Sequence, residues 1–336
     1  MHKLLLAFKD GEISGQHQAR IRQLAPNLDL VQTADEDKIA AMVEAIEIAV
    51  GQFPTQLLPK AKNLRWFQQW SAGADWLLEH PEVQKLDFVL TSASGVHAIP
   101  ISEHIFAFLL AFARNLPQAW HAQQEHVWMK EQEKGQRQRA KDDIATYSRR
   151  DVFELAGKTM LLIGIGEIGE RTAQIARALE MGVIGVRHNP DHDTPGVSEM
   201  VGPDELLTVL PQADVVVSTV PLTAETAHMM DQAAFDAMKK GAYFINIGRG
   251  GTVDQEALIA ALRSGKLAGA GLDVFEEEPL TANSPLWEMD NVLLTPHASG
   301  ATPQYNERAF AIFLDNLQRY QAGADLRNVV DKSKGY

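Results

Sequence analysis

The chain has 336 residues, enough for about two domains, and its 45% hydrophobic and 22% charged residues are ordinary for a soluble globular protein. Lys and Arg number 31 against 44 Asp and Glu, a formal net charge of −13, which argues against a general polyanion or nucleic-acid binder. There is no Cys, which excludes disulfides, thiolate chemistry and Cys-ligated metals.

The opening "MHKLLLAFKD" has only a short apolar run before Lys9 and Asp10. It reads as a buried first strand, too short for a signal peptide. No segment approaches the ~20 apolar residues that span a membrane, so the expected location is the cytoplasm, with no membrane partner. Further apolar runs at 47–53 and 64–70 read as strands, and 35–46, with its acidic start, as a helix. Such alternation implies a parallel sheet with crossover helices. Residues 100–116 read as a strongly apolar, buried helix with Ser102 as its cap. Residues 129–151 lose almost all apolar character; they read as a solvated, partly mobile helix or loop, or as an arm packed on a second subunit.

From "KTMLLIG" (158–164) regular alternation resumes. Strands are expected at 159–163, 183–187, 214–219, 242–247, 269–273 and 292–295. Helices are expected at 167–180, 203–210, 231–238 and 254–263, with a last one at about 302–322. That is a six-strand doubly wound pattern.

The first of these strands runs into Gly164, Gly166 and Gly169, in G-x-G-x-x-G spacing. The context makes the motif specific: an apolar strand precedes it, an amphipathic helix follows, and a second strand arrives on schedule. Gly164 permits the tight turn, Gly166 lets backbone approach a pyrophosphate, and Gly169 lets the helix pack close. The helix N-terminus at Glu167 and Ile168 faces the phosphates.

Three later stretches end strands on the same carboxyl edge: "FINIGRGGTVD" (244–254), "GAGLDVFEEEP" (269–279) and "NVLLTPHASGAT" (291–302). Each sets one useful residue just past a strand: Arg249, Glu278 and His297. Each alone would be unremarkable, but together they describe a reaction. Hydride transfer to a ketone needs a proton donor beside the carbonyl oxygen, which His can be. A carboxylate holds that His in place, and an Arg fork holds the carboxylate of a 2-keto acid.

These motifs, with "GIGEIGE" and "VPLTAET" (220–226), resemble the D-isomer-specific 2-hydroxyacid dehydrogenase family, which includes glyoxylate/hydroxypyruvate reductases. The resemblance covers nearly the whole chain. It implies an α/β protein of two Rossmann-like domains. A smaller, flavodoxin-like substrate domain would take residues 1–98 and 298–336, and a doubly wound cofactor domain 99–297. It implies that Arg249, Glu278 and His297 are catalytic, and that Asp273 contacts the nicotinamide amide. Thr219, Val220, Pro221, Thr226 and Ile247 would line the cofactor. Backbone N–H groups of Ser71, Ala72 and Gly73 would hold the substrate carboxylate. It further implies a homodimer built through the cofactor domains.

Two features depart from the pattern: the charged stretch 129–151 looks longer than usual, and the end of the second strand lacks its acid. The second strand of such a fold usually ends in an acid that binds the ribose 2′-hydroxyl, whereas "VIGVRHNP" (183–190) ends in Arg187, followed by His188 and Asn189. A cation there can pair with a 2′-phosphate. The expected cofactor is therefore NADP(H), with NAD(H) as the weaker alternative. Competing readings are a dinucleotide-sensing scaffold or co-repressor, which would tolerate loss of the three residues; a formate dehydrogenase, disfavoured by Glu278; and a phosphite-type dehydrogenase. Trp70, Trp76, Trp128, Trp287 and His97 are candidates for shaping a substrate pocket, or for ordinary packing.

Overall fold

A computed structural model describes residues 2–131, 144–147, 152–191 and 193–334. The chain divides into two compact units, one of residues 1–97 with 301–336, the other of 98–300.

The first unit alternates β1 (Lys3–Ala7), α1 (Gly15–Leu24), β2 (Asp29–Gln32), α2 (Glu36–Met42), β3 (Ile46–Gly51), β4 (Trp66–Gln69) and β5 (Val89–Thr91). All its strand pairs are parallel, in the order β2-β1-β3-β4-β5, the flavodoxin-like order. Leu4, Leu5 and Leu6 are all buried because both faces of this sheet are covered. Leu5 and Ala7 face a core with Ile39 and Phe67, whereas Leu4 and Leu6 face Trp66 and the C-terminal helix Tyr305–Gln321 through Phe310 and Phe313. Side chains of Ser14 and Asp35 cap α1 and α2.

The second unit begins with α3 (Ala98–Ala113), α4 (Leu116–Gln124), β6 (Trp128–Glu131) and β7 (Ile144–Tyr147). It continues through β8 (Thr159–Ile163), α5 (Glu167–Ala178), β9 (Gly182–Val186), β10 (Glu199–Val201), α6 (Leu206–Val209) and β11 (Val215–Ser218). It closes with α7 (Gln232–Ala237), β12 (Ala242–Asn246), α8 (Gln255–Arg263), β13 (Leu267–Leu272) and β14 (Val292–Leu294). Its seven parallel strands run β10-β9-β8-β11-β12-β13-β14, the doubly wound order with its reversal between β8 and β11.

Several sequence expectations need correction. The doubly wound sheet has seven strands, because the short β10 pairs with β9 outside the expected six. Ser102 is no cap: α3 starts at Ala98, and Ser102 is buried within it, donating to the Ile99 carbonyl at 2.9 Å. Pro100 sits in the first turn, where its missing N–H is harmless. The apolar run stops at Asn115 (φ 53°), where the chain bends by 71° into the unexpected α4. The helix expected at 203–210 shrinks to α6 between two 3-10 turns, the second containing Pro211, which has no N–H for a helical bond. α1, β2 and β5 are further elements beyond those expected from the sequence. Within 129–151, Trp128–Glu131 pairs in parallel with Ile144–Tyr147 as a two-stranded sheet instead of a helix or loop. The remainder of that stretch, 132–143 and 148–151, lies outside the described residues.

Candidate active site

The site in the second unit is built on the carboxyl edge of its sheet. After β8 the chain turns at Gly164 with φ 97°, a conformation suited to glycine. The Gly164 amide donates to the Val186 carbonyl at 2.9 Å, and its carbonyl accepts from the Thr219 hydroxyl at 2.8 Å, which ties the turn to the ends of β9 and β11. A Cβ on Gly169 would lie 2.4 Å from the Gly164 carbonyl oxygen, so only glycine lets α5 pack this close. Gly166 faces open space: no heavy atom lies within 4 Å of where its Cβ would stand. Glu167 and Ile168 open α5 immediately beyond it. An open backbone cradle at a helix N-terminus fits a pyrophosphate.

Arg187 follows β9, its amide donating to the Val201 carbonyl at 3.1 Å. The side chain is half-buried, and its Nη1 is buried with no hydrogen-bond partner among the described residues. Such a donor suits an anionic ligand, because an unpaired buried guanidinium N–H is costly. His188 is exposed, with Nε2 3.6 Å from a Glu225 carboxylate oxygen, and the Asn189 side chain accepts from the Asp191 amide at 3.3 Å. Val220 and Pro221 are half-buried beside the turn's end of β11. Thr226 closes their loop, donating to the Pro221 carbonyl at 2.7 Å and accepting from the Thr223 amide at 2.8 Å. Ile247 is 4% exposed and belongs to the core beneath.

The loop after β12 is shaped by Asn246, which is buried. Its amide donates to the Arg249 carbonyl at 3.1 Å, and its oxygen accepts from the Gly248 amide at the same distance. Arg249 is half-buried, with Nη1 donating to the Gly248 carbonyl at 2.8 Å. His297 Nδ1 lies 2.8 Å from Glu278 Oε2, while Glu278 Oε1 accepts the Phe275 amide at 3.0 Å. A carboxylate only accepts, so Nδ1 carries the hydrogen and Nε2 is the atom left to exchange a proton.

His297 has φ 50°, and Asp273 holds it there. The Asp273 carbonyl accepts the His297 amide at 2.8 Å, and its carboxylate accepts from Thr295 (2.6 Å), Ala298 (2.8 Å) and Ser299 (3.0 Å). Burial alone would raise this carboxyl, but the hydrogen bonds from Ser299, Thr295 and Ala298 outweigh it and hold it below the usual carboxylate value. Asp273 is fully buried, so the structure gives its carboxylate the task of clamping the 295–299 loop. His104 on α3 continues this chain, with Nε2 3.1 Å from the Thr295 hydroxyl. The Thr295 hydrogen is directed to Asp273, so His104 donates; burial lowers its pKa, partly offset by the Asp273 charge, consistent with a neutral ring.

The first unit carries the 71–73 loop at the end of β4. Gln69, almost fully buried, donates from its amide to the Ser71 and Gly73 carbonyls at 3.1 and 2.8 Å. Its oxygen accepts Trp76 Nε1 at 2.9 Å, which fixes the amide's orientation. With those carbonyls held, no hydrogen bond is made by the N–H groups of Ser71, Ala72 and Gly73 to any described residue. Trp70 and Trp76 pack in this unit, whereas Trp128 and Trp287 are exposed. His97 lies against Tyr305, ring centroids 5.1 Å apart. Sequence reasoning missed Gln69, His104, Asn246 and Thr295. Thr295, two residues before His297, and Asn246, a polar residue ending an apolar strand, carried a local signal; Gln69 and His104 carried none.

The second unit thus carries a doubly wound sheet with a glycine turn at its reversal and, on the same edge, Arg249 and a Glu-supported His297. The chain belongs to the D-isomer specific 2-hydroxyacid dehydrogenase family, whose NAD binding domain model matches residues 106–299. It is 34% identical over 262 residues to a glyoxylate reductase of Thermofilum pendens, covering 78% of this chain and 73% of that one. It is 32% identical over 282 residues to the D-3-phosphoglycerate dehydrogenase of Archaeoglobus fulgidus. That match takes in 82% of this chain but only 49% of that protein, so the chain spans about half its length. Among solved structures, the NADPH-dependent glyoxylate/hydroxypyruvate reductase of Sinorhizobium meliloti, in complex with NADP and sulfate, aligns over all of both chains with a TM-score of 0.76 at 26% identity.

Proposed function

We propose that the protein is a 2-keto acid reductase, acting between NADP(H) and 2-keto or D-2-hydroxy acids, with NAD(H) as the weaker cofactor. The observation that carries this is the 2.8 Å His297–Glu278 pair on the sheet edge that also bears the Gly164 turn and Arg249. The glycine turn and the start of α5 would hold the pyrophosphate, and Arg187 the 2′-phosphate, with His188 as a further donor. When bound, the reduced nicotinamide supplies the hydride for the keto carbon. His297 gives its Nε2 proton to the carbonyl oxygen, so that the C=O becomes CH–OH, and Glu278 stabilises the imidazolium and fixes the ring plane. Arg249 binds the substrate carboxylate with its planar fork; in the first unit, the 71–73 amides offer hydrogen-bond donors suited to a carboxylate. Asp273 and Thr295 position the His297 loop.

The NADP preference draws support from the unpartnered Arg187 Nη1 and from the NADP carried by the Sinorhizobium relative. We read it as a cytoplasmic homodimer; the homodimer draws support from exposed apolar side chains on α3 and α4 and from Trp128 in β6. The test is the loss of 340 nm absorbance when 2-keto acids meet NADPH or NADH. Turnover of a 2-keto acid with NADPH is expected, and no turnover of any 2-keto acid with either cofactor would overturn the reading.

A further inference from the structure

The first unit holds a cavity of about 370 Å³ at the carboxyl ends of β3 and β4. Its lining includes Phe53, Phe67, Gln69, Trp70, Trp76 and Tyr305. Ligands of open α/β sheets bind at such strand ends.

The walls are fixed. The Trp70 ring meets Phe8 and Phe310 edge-on, with centroids 4.9 and 4.8 Å apart, and its Nε1 donates to Asn306 at 3.0 Å. The Tyr305 hydroxyl donates to the Trp70 carbonyl, and Trp76 is tied to Gln69. These contacts hold Trp70, Tyr305 and Trp76 against the wall. Ser71 lines the cavity and also belongs to the loop whose amide N–H groups have no acceptor among the described residues. The proposed carboxylate seat, through Ser71, adjoins an apolar cavity whose lining contains no Lys, Arg, Asp or Glu.

We infer that this chamber receives the side chain of the substrate, and that 2-keto acids with an aromatic side chain are preferred over glyoxylate. The inference rests on the 2-keto acid reading above. Glyoxylate bears only hydrogen beyond its carbonyl carbon and leaves the chamber empty. A side chain with a carboxylate or phosphate would be desolvated there without a cation to pair with. An aryl ring matches both the apolar lining and the edges and faces of fixed aromatic walls.

The experiment measures kcat/KM with saturating NADPH for phenylpyruvate, glyoxylate and 2-ketoglutarate. Phenylpyruvate is expected to exceed each of the others by about 100-fold or more, since one methylene group alone can be worth tenfold in a fitted apolar pocket. A ratio to glyoxylate under about tenfold overturns the inference while leaving the reductase reading intact; turnover of none of them, or of any other 2-keto acid, overturns both. Thr55→Phe, which fills the chamber from its half-buried rim, should lower the phenylpyruvate-to-glyoxylate ratio at least about tenfold. An unchanged ratio in the folded variant also overturns the inference, and if the variant does not fold the wild-type ratio decides alone.

Discussion

At the scale of single residues, His297 occupies a backbone conformation that a non-glycine residue adopts only at a cost of order 1 kcal/mol. The hydrogen bonds of the 295–299 loop to Asp273 hold it there, with the imidazole 2.8 Å from Glu278. Replacing His297 by Ala should lower kcat by about 10²–10⁴-fold, the usual worth of general acid catalysis, while NADPH still binds by fluorescence titration. Near-normal kcat would remove His297 from the role. Glu278→Gln keeps a side chain of the same size and loses the charge, so kcat should fall by about tenfold or more, with KM little changed. Arg187 poses the second question at this scale. Its buried Nη1 lacks a partner among the described residues, so a 2′-phosphate would gain a charge-assisted bond and relieve an unmet donor. Half-buried phosphate pairs are worth roughly 1–2 kcal/mol, so kcat/KM for NADPH should exceed that for NADH by about tenfold or more. Arg187→Asp should reverse the order. Equal use of the two cofactors by the wild type, or an unchanged preference in the variant, would defeat the assignment.

At the scale of elements, the central register of the doubly wound sheet is pinned just before β11. Asp214 accepts the Thr159 amide at 3.0 Å, at the start of β8, and the Lys239 ammonium at 2.6 Å. Burial would raise this carboxyl, but the bonds from Lys239 and Thr159 outweigh it and leave the pKa below the ordinary value. A folded pKa below the unfolded one means stability that is present above the unfolded value, about 3.9, and lost as pH falls through the folded one. Asp214→Asn should therefore destabilise the protein by about 2 kcal/mol at pH 7. In thermal melts the gap should close as pH drops below about 4; a constant gap would show that the charge is not the source. The elements that sequence reveals are those whose pattern is local. β8, β9, β11 and β12 are continuous apolar runs, and Asp231 and Asp254 announce α7 and α8 as their caps. α1 buries only Ile21 and has a weak apolar stripe, and the four residues of β2 are all half-buried, so neither stands out before the sheet is assembled. The site divides in the same way. Arg249, Glu278 and His297 lie in short motifs, whereas Gln69 and His104 matter through partners that the fold brings to them, His104 through a residue 191 positions away.

At the scale of the whole molecule, the second unit leaves large apolar side chains in contact with water on α3, α4 and β6. Leu110 is 40% exposed, Leu116 53%, Trp120 63% and Trp128 74%. They lie on consecutive elements joined by short connections, and the turn at Asn115 brings α4 round at 71° to α3. Isolated exposed apolar residues need no account, but four in succession, two of them Trp, have the make-up of an interface, where Trp often carries much of the binding energy. A net charge of −13 opposes self-association at long range, so apolar contact has to supply the attraction, and added salt should strengthen it by screening. Light scattering at micromolar concentration should give twice the chain mass of 37.1 kDa. Trp120→Glu puts a charge where apolar area would be buried, and truncating such an anchor costs roughly 2–4 kcal/mol, about 30- to 1,000-fold in dissociation constant. That variant should run as a monomer at the same concentration, with a melting transition close to that of the wild type in dilute solution because Trp120 buries little in its own chain. A wild type that stays at the mass of one chain, or a Trp120→Glu protein that remains a dimer, would place any assembly on another face.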